Sequence, residues 1–266
     1  MPRESGASSI RGGSAILPTE STGSSAFAGD DDDAEDPMRI LAIDTALEAC
    51  SIVLMDGDAI VAREHEAMAR GHAEALMPMI ERLLEAASLD FTTLDRIAVT
   101  VGPGSFTGLR VGIAAARGIA LAAGKPVVGI TTLGAFAAPL IAADTSTPVV
   151  AAIDARHDHV YLQAFDGNGA TRIKPIFMSV TDAVHRIAPF SPRLVGNAAP
   201  ILAAAWPADE APPVAVEYQT APSIDWVARL GAVADPASTP PKPFYLKPAD
   251  AQPQAAAHVP LQAAPT

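Results

Sequence analysis

An internal repeat constrains the fold of this chain more than any other feature. The segment AIDTALEACSIVLMDG begins at Ala42, and the segment AIDARHDHVYLQAFDG begins 110 residues later, at Ala152. Without a gap, both carry Ala-Ile-Asp at the start and Asp-Gly at the end. Each copy is typical of two strands, with an aspartate ending the first and an Asp-Gly turn following the second. We therefore expect a duplicated strand unit and a chain of two lobes.

Strand and helix signals alternate around each copy, which indicates an α/β chain. Residues 39–66 predict three strands, and residues 71–87 carry apolar side chains at helical spacing, with Pro78 expected to kink that helix. The strand RIAVTV, the loop GPGSFTG and the helix LRVGIAAARGIALAAG follow. A short strand, PVVGI, and a helix, TLGAFAAPLIAA, complete the first lobe.

In the second half, helices are expected at TDAVHRIA, NAAPILAAAW and SIDWVARLGAVA, the last with Ser223 as its N-cap. The segment PPKPFYLKPADAQPQ is expected to be extended. The predicted organisation is an acidic N-terminal tail at 1–37, lobes at 38–140 and 141–254, and a second tail at 255–266. Met38 is a candidate for the true start, which N-terminal mass spectrometry of the native protein would test.

Composition excludes several classes of protein. Apolar residues make up 49% of the chain and charged residues 18%, which indicates a globular protein. The net charge of -12 and the lack of a basic run make direct binding of nucleic acid unfavourable, so any RNA is expected to be held through a partner. Cys50 is the only cysteine, which excludes an intrachain disulfide and suits a cytoplasmic location. The roughly 20 uninterrupted apolar residues that span a membrane are not found.

Asp44 is a candidate ligand-binding residue because it ends the first predicted strand. This position resembles the one at which actin-like phosphotransferases place a carboxylate near a metal-bound nucleotide. The alternative is structural: an aspartate at this position caps a turn through its side chain. From the residues alone, both interpretations remain open.

The loop from Gly102 to Gly108 is a second candidate, with Gly102, Gly104, Ser105 and Thr107 as the residues that would contact a ligand. It joins a strand to a helix, where backbone N–H groups can hold an anion. It has no Walker A lysine, and Pro103 stands where a nucleophile elbow requires glycine. The alternative is a tight turn in which the glycines permit close approach of two backbone segments.

The histidines do not predict a metal site, because no two of them have the i,i+4 spacing of helical ligands. His157 and His159 could share a strand face, but they fit a hairpin better. Arg110 and Arg117 lie seven residues apart on one predicted helix, where they would form an exposed stripe facing solvent or a partner.

The combined string VTVGPGSFTGLRVGIAAARGIALA closely resembles the TsaB family. The resemblance extends over ILAIDT, GHAEALMPMIERLL, GITTLGAFA, AAIDARHDHVY and PFYLKPADAQPQ, and so covers nearly everything from Met38 to Gln254. It implies a duplicated actin-like, ribonuclease H-like fold in two lobes. Lys247 departs from the family, which usually has arginine there; lysine keeps the charge but loses the planar fork.

The resemblance further implies a cytoplasmic scaffold subunit without chemistry of its own. Such a subunit would support a TsaD-like catalytic partner, together with a TsaE-like ATPase, in making threonylcarbamoyladenosine in tRNA. ATP and metal are expected on those partners, tRNA would be contacted only through the complex, and a homodimer is the alternative assembly without the partner. In the catalytic relative a histidine pair binds metal, whereas Thr132 and Phe136 stand at the matching positions here.

In the family, the two helices of the N-terminal lobe pair with their counterparts in the partner. Carried over to this chain, the implied contact residues are His72, Leu76, Met79, Leu83, Gly112 and Ala116. The alternative for Leu76 and Leu83 is a place in the core.

Two other functions remain open from the sequence. One is a stand-alone actin-like ATPase or kinase that would use Asp44, Asp154 and the GPGSFTG loop. The other is a metal-dependent acyltransferase acting alone, which the absence of the histidine pair disfavours.

Overall fold

The computed structural model describes residues 37–247, and its first lobe is built on a five-stranded mixed sheet. The strands are β1 (Arg39–Asp44), β2 (Ala49–Asp56), β3 (Ala59–Ala67), β4 (Arg96–Gly102) and β5 (Val127–Thr131). Their order is β3-β2-β1-β4-β5. β2 runs antiparallel to β1 and β3, whereas β1, β4 and β5 are parallel. The parallel strands therefore all begin at one end of the sheet and all finish at the opposite end.

The second lobe repeats this arrangement. Its strands are β6 (Val149–Arg156), β7 (His159–Phe165), β8 (Thr171–Ser179), β9 (Arg193–Val195) and β10 (Ala215–Glu217), in the order β10-β9-β6-β7-β8. Read from its other edge, this is the order of the first sheet. Asp44 and Asp154 lie toward the ends of equivalent strands β1 and β6, and both Asp-Gly pairs lie where equivalent strands β2 and β7 end. The predicted duplication is confirmed.

Six helices accompany the sheets in the described residues. They are α1 (His72–Ala87), α2 (Phe106–Ala123), α3 (Thr132–Ala143), α4 (Val180–Ile187), α5 (Ala199–Ala204) and α6 (Ile224–Val233). α1 and α2 cover one face of the first sheet, where Leu41 and Ile43 pack with them. Because successive strand residues point to opposite faces, Ile40 and Ala42 face the other way, toward α6.

The third helix of each half crosses to the other lobe. α6, from the second half, packs against β1 and β4 of the first sheet. α3, from the first half, packs against β6 of the second sheet. α4 and α5 cover the remaining face of the second sheet. The core beneath each sheet therefore includes a helix from the other half of the chain.

Several details differ from the expectations. The strands β8, β9 and β10 were not predicted. β9 and β10 are only three residues long and lack a clear alternation of polar and apolar residues. α1 continues through Pro78. Ser223 does precede α6, but its side chain makes no capping hydrogen bond. The predicted tails lie outside the described residues, apart from Pro37.

α2 is, within residues 37–247, the one helix long and apolar enough to cross a membrane by length and composition. Its apolar side, which includes Leu109 and Ile113, is buried against the sheet. A core helix passes the same test, so this is weak evidence for a membrane span.

Candidate functional site

Asp44 is held in the interior at the end of β1. Its Oδ1 accepts hydrogen bonds from Thr100 Oγ1 at 2.6 Å and from the backbone N–H of Ala46 at 3.1 Å. Its Oδ2 has no hydrogen-bond partner among the described residues, and the side chain is fully buried. Burial raises the pKa of Asp44 above its ordinary value, against the lowering effect of the two hydrogen bonds. The turn-capping interpretation is confirmed by the bond from Ala46.

The Gly102–Gly108 loop packs directly on the residues that follow Asp44. Ser105 N–H donates to Ala46 O at 2.7 Å, and Thr45 Oγ1 donates to Gly108 O at 2.8 Å. A Cβ atom at Gly104 would collide with Ala46 O, and one at Gly108 would collide with Thr45 O. The interpretation as a tight turn with close backbone approach is therefore confirmed.

Two of the loop's backbone donors are used within the chain itself. Ser105 N–H is bonded to Ala46, and the N–H of Gly108 donates to Ser105 Oγ at 3.2 Å. Ser105 thus caps α2 with its own side chain. Ser105 and Thr107 are exposed, whereas Asp44 lies behind the loop. The structure therefore separates Asp44 from the exposed loop candidates by a layer of packed backbone.

The second copy of the aspartate has a different environment. Asp154 Oδ1 accepts the N–H of Arg156 at 2.8 Å, which repeats the turn made by Asp44. Its side chain is 25% exposed, and the guanidinium of Arg156 lies 3.6 Å from Oδ2. Arg156 also lies 3.5 Å from Glu48 Oε1 of the first lobe. The side chain of Asn197 accepts the N–H of Asp154 at 2.8 Å. This aspartate lies at the inter-lobe cleft.

That cleft has a volume of about 370 Å³ and opens between the lobes. Its lining includes Glu48, Ser105, Asp154, Arg156 and Tyr161. The two carboxylates outnumber the guanidinium, so the local charge does not favour an anionic ligand such as a nucleotide phosphate. The ion pair between Arg156 and Glu48 bridges the cleft.

The β6–β7 hairpin at the cleft contains both neighbouring histidines. Arg156, His157 and Asp158 have positive φ angles of 66°, 53° and 58°. His157 is exposed, as expected for a hairpin turn, whereas the ring of His159 stacks on Phe177 with ring centres 4.8 Å apart. Within residues 37–247, no group of three or more metal-binding side chains is placed to hold an ion.

The positions that correspond to the metal-binding histidine pair belong to the core. Thr132 begins α3 and is buried, and Phe136 one turn later is among the largest fully buried side chains. Phe136 packs in the main hydrophobic cluster with Leu133 and Leu140. The side chains of Thr132 and Phe136 therefore belong to the packed interior.

The predicted contact residues are also buried in the chain itself. His72, Leu76, Met79 and Leu83 are at most 8% exposed, because this side of α1 faces the first sheet. Gly112 and Ala116 are buried on the corresponding side of α2. The prediction that these six residues offer an accessible surface is wrong; the alternative of a core role is confirmed for Leu76 and Leu83.

The exposed side of the same two helices is a different set of residues, which we call the helix face. On α1 it includes Glu74, Met77 and Glu81, and on α2 it includes Arg110, Ala114, Arg117, Gly118 and Leu121. Met77 is 45% exposed and Leu121 is 86% exposed. Arg110 and Arg117 do form an exposed stripe, as predicted.

Sequence reasoning missed the part played by residues 239–247. The N–H of Gly129 donates to Thr239 O at 2.8 Å, and the N–H of Phe244 donates to Val101 O at 2.7 Å. The ring of Tyr245 stacks on Phe106 with centres 5.4 Å apart. This segment therefore runs back along the first lobe. The run of prolines in this segment predicted an extended chain but did not indicate where it packs.

Two lobes with the same strand order, each ending a central strand near an aspartate, define the class of duplicated actin-like, ribonuclease H-like folds. A family model described as "TsaD: tRNA N6-adenosine threonylcarbamoyltransferase" matches residues 60–198, which is more than half of the chain. The chain belongs to this family. Within it, the resemblance to TsaB proteins is confirmed by the relatives and the solved structure described next.

The tRNA threonylcarbamoyladenosine biosynthesis protein TsaB of Escherichia coli strain K12 is 42% identical over 134 residues, which are 50% of this chain and 58% of the relative. The protein of that name from Haemophilus influenzae strain Rd is 40% identical over 125 residues, 47% of this chain and 52% of the relative. The chain thus spans just over half the length of these relatives. The solved structure "YeaZ from Pseudomonas aeruginosa" matches with a TM-score of 0.67 and 26% identity, over 79% of this chain and 100% of that one.

Proposed function

We propose that this chain is a non-catalytic subunit in the synthesis of threonylcarbamoyladenosine in tRNA, and that it acts by binding and supporting a TsaD-like catalytic subunit. The names of the similar proteins supply the pathway. The observation that carries the non-catalytic role is the packing of the Gly102–Gly108 loop on Thr45 and Ala46, which encloses Asp44. A carboxylate that no solvent reaches is unsuited to binding a metal-nucleotide complex.

The core of α3 supports the same proposal. A histidine pair at the start of this helix would need a cavity for its metal and a path for solvent. Phe136 fills that space with an aromatic ring, and a buried ring has no lone pair to offer a cation. ATP and metal therefore belong, in this proposal, to the partner subunits, including a TsaE-like ATPase.

The helix face is the surface through which we propose that the partner binds. It exposes Met77 and Leu121 beside the small side chains Ala114 and Gly118, which allow a partner helix to approach closely. A partner with the same duplicated fold would present a helix pair of its own, and two such pairs can form a four-helix contact.

Charge on the helix face is divided between its two helices. α1 exposes Glu74 and Glu81, whereas α2 exposes Arg110 and Arg117. A two-fold arrangement that sets α1 of one subunit against α2 of the other would pair opposite charges. This pattern suits a related subunit, and it also suits a second copy of the chain, which we propose as the assembly when the partner is absent.

The remaining parts of the proposal concern location and RNA. We place the complex in the cytoplasm, where tRNA is modified. The described residues of this chain are acidic around α1, so tRNA would be held through the complex rather than by this chain alone.

Size-exclusion chromatography with light scattering tests the proposal, using the full chain with the TsaD-like protein of the same organism. We expect a complex of one copy of each chain. Met77→Glu and Leu121→Glu should each weaken it by about 100-fold, since a charge buried opposite apolar surface costs several kcal/mol. The matched control is Ile201→Glu, because Ile201 is 38% exposed on α5, the equivalent of α2 in the other lobe. That variant should bind as the wild type does.

Circular dichroism of each variant distinguishes lost binding from lost folding. Leu76→Arg is unsuitable here, because Leu76 is a core residue and its replacement would unfold the chain. Steady ATP turnover by the chain alone, abolished by Asp44→Ala, would overturn the non-catalytic role and support the stand-alone ATPase. Equal binding by all three glutamate variants would remove the helix face from the proposal.

A further inference from the structure

A groove of about 610 Å³ lies on the first lobe between the C-terminal end of α2 and the segment at Pro241. Arg117, Leu121, Lys125, Val127 and Pro241 line it. Leu121 is the most exposed large apolar side chain of the described residues. The groove therefore combines an apolar floor with cationic side chains in a chain that is acidic overall.

The cations at this groove are poorly neutralised. Lys125 Nζ lies 4.0 Å from Asp95 Oδ1, a long contact. Neither Arg117 nor Lys242 has a carboxylate within 4.0 Å among residues 37–247; Lys242 does not line the groove itself but directly follows its lining residue Pro241. Other cations near the start of β1 do have partners: Arg39 pairs with Asp56 at 2.9 Å. The groove is thus the place near that edge where positive charge is left over.

The first described residues enter the first sheet at the same end as this groove, where the N–H of Gly57 donates to Met38 O at 3.1 Å. The N–H of Arg39 donates to Asp95 Oδ2 at 2.8 Å, and Asp95 in turn contacts Lys125. The register pairs Ile40 with Arg96, and Ile97 with Val127, so β1, β4 and β5 all begin at the same edge. With neighbouring strands about 4.8 Å apart, the starts of β1 and β5 are separated by about 10 Å.

An acidic run directly precedes the first described residue. Residues 30–36 read DDDDAED, which places six carboxylates in seven residues immediately before Pro37. Fully extended, seven residues span about 23 Å, which is more than the separation of β1 from β5. The acidic run is therefore longer than the distance from β1 to β5, the strand that Lys125 precedes by two residues.

We propose that the acidic run at residues 30–36 docks in this groove of its own chain, with its carboxylates against Arg117, Lys125 and Lys242. Charge complementarity and tethering carry the proposal, since a short tether gives an effective concentration in the millimolar range. The intramolecular contact itself does not depend on the proposed function.

Zero-length carbodiimide coupling of the full chain, followed by proteolysis and mass spectrometry, tests this contact directly because it joins a carboxylate to a lysine amine in contact with it. We expect peptides that join residues 30–36 to Lys125 or Lys242. Lys174 is the matched control, because it is an exposed lysine on β8 of the other lobe. Coupling of the acidic run to Lys174 should be at least about 10-fold lower.

Three changes sharpen the result. Raising the salt concentration to about 1 M, where the screening length is about 3 Å, should abolish the coupling. Arg117→Gln should lower the yield at Lys125, since it removes one of the groove's cations without changing the lysines. Replacing Asp30, Asp31, Asp32 and Asp33 with asparagine should lower the yield at both groove lysines.

Isotope labelling separates an intramolecular contact from one between molecules. In an equal mixture of light and heavy chains, we expect coupled peptides in which both halves carry the same label. Mixed labels would show that the run docks on another copy and would overturn the proposal. Equal coupling to Lys174 and to the groove lysines, or coupling that salt does not reduce, would also overturn it.

Discussion

Alanine at Gly112 and alanine at Gly118 should have opposite effects on stability, although both glycines lie in α2 and the substitution is the same. A Cβ atom at Gly118 would meet nothing within 4 Å. A Cβ atom at Gly112 would collide with Thr45 Oγ1 and lie 3.5 Å from Val99 Cγ2. The comparison therefore isolates the contact between α2 and the end of β1.

The magnitude follows from the surroundings of Thr45. Alanine in place of glycine within a helix stabilises by about 0.5–1 kcal/mol, and this is the whole effect expected at Gly118. At Gly112 the hydroxyl of Thr45 must move, although it is buried and donates to Gly108 O at 2.8 Å. Overpacking costs about 1–3 kcal/mol, and a lost buried hydrogen bond costs about as much again. Gly112→Ala should therefore unfold with a free energy about 1–5 kcal/mol below that of the wild type.

Urea unfolding of the isolated chain, followed by circular dichroism, measures both free energies. If Gly112→Ala is as stable as Gly118→Ala, the contact with Thr45 is not made and the reasoning fails. The result also bears on the expected partner surface, because a contact residue at Gly112 would change binding and leave the stability of the isolated chain unaltered.

Three further outcomes follow from buried groups. Leu76→Ala should lower the free energy of unfolding by about 2–5 kcal/mol and Met77→Ala by less than about 0.5 kcal/mol, because only Leu76 is buried. Equal free energies in urea unfolding would contradict this assignment. Burial raises the folded pKa of Asp44, so the stability it contributes is present below its unfolded pKa of about 3.9 and is lost as the pH rises through the folded pKa. As the pH rises across that window, the free energy of unfolding of Asp44→Asn should therefore increase relative to that of the wild type by up to about 1.4 kcal/mol per pH unit. Curves of unfolding free energy against pH that stay parallel for the two proteins would refute the burial argument. Burial also raises the pKa of Cys50 to about 11, so Ellman's reagent should react with the native chain only as fast as it unfolds, and a fast reaction at pH 8 would show an open site.

The repeat, the order of the elements and the family could be predicted because each leaves a local pattern. Asp44 and Asp154 share a position 110 residues apart, and the strands β1 and β2 alternate or run apolar over their full lengths. β9 and β10 left no such pattern. They are three residues long, and the long-range contact of β9 is made by Arg193, whose guanidinium donates to Leu140 O at 2.8 Å in the first half of the chain.

The candidate site was harder to predict, since the same residue types serve a surface and a core. Leu76 and Leu83 have helical spacing whether they face a partner or the core. Only the position of the sheet decides which side of α1 is covered. Asp44 presents the same difficulty, because a strand-end aspartate is identical in sequence whether the next loop exposes it or encloses it. Asn197 carried no signal, as its role is to accept one backbone N–H from a residue 43 positions away.

The crossing of α3 and α6 has a consequence for the origin of the two halves. Neither half alone covers both faces of its own sheet. Without α6, Ile40 and Ala42 would face water, and without α3, the face of β6 that packs on this helix would face water. A single ancestral unit could close its core only by exchanging this helix with a second copy, in the manner of domain swapping. Duplication and fusion would then have turned an exchanged dimer into one chain, replacing a concentration-dependent assembly with folding of a single polypeptide.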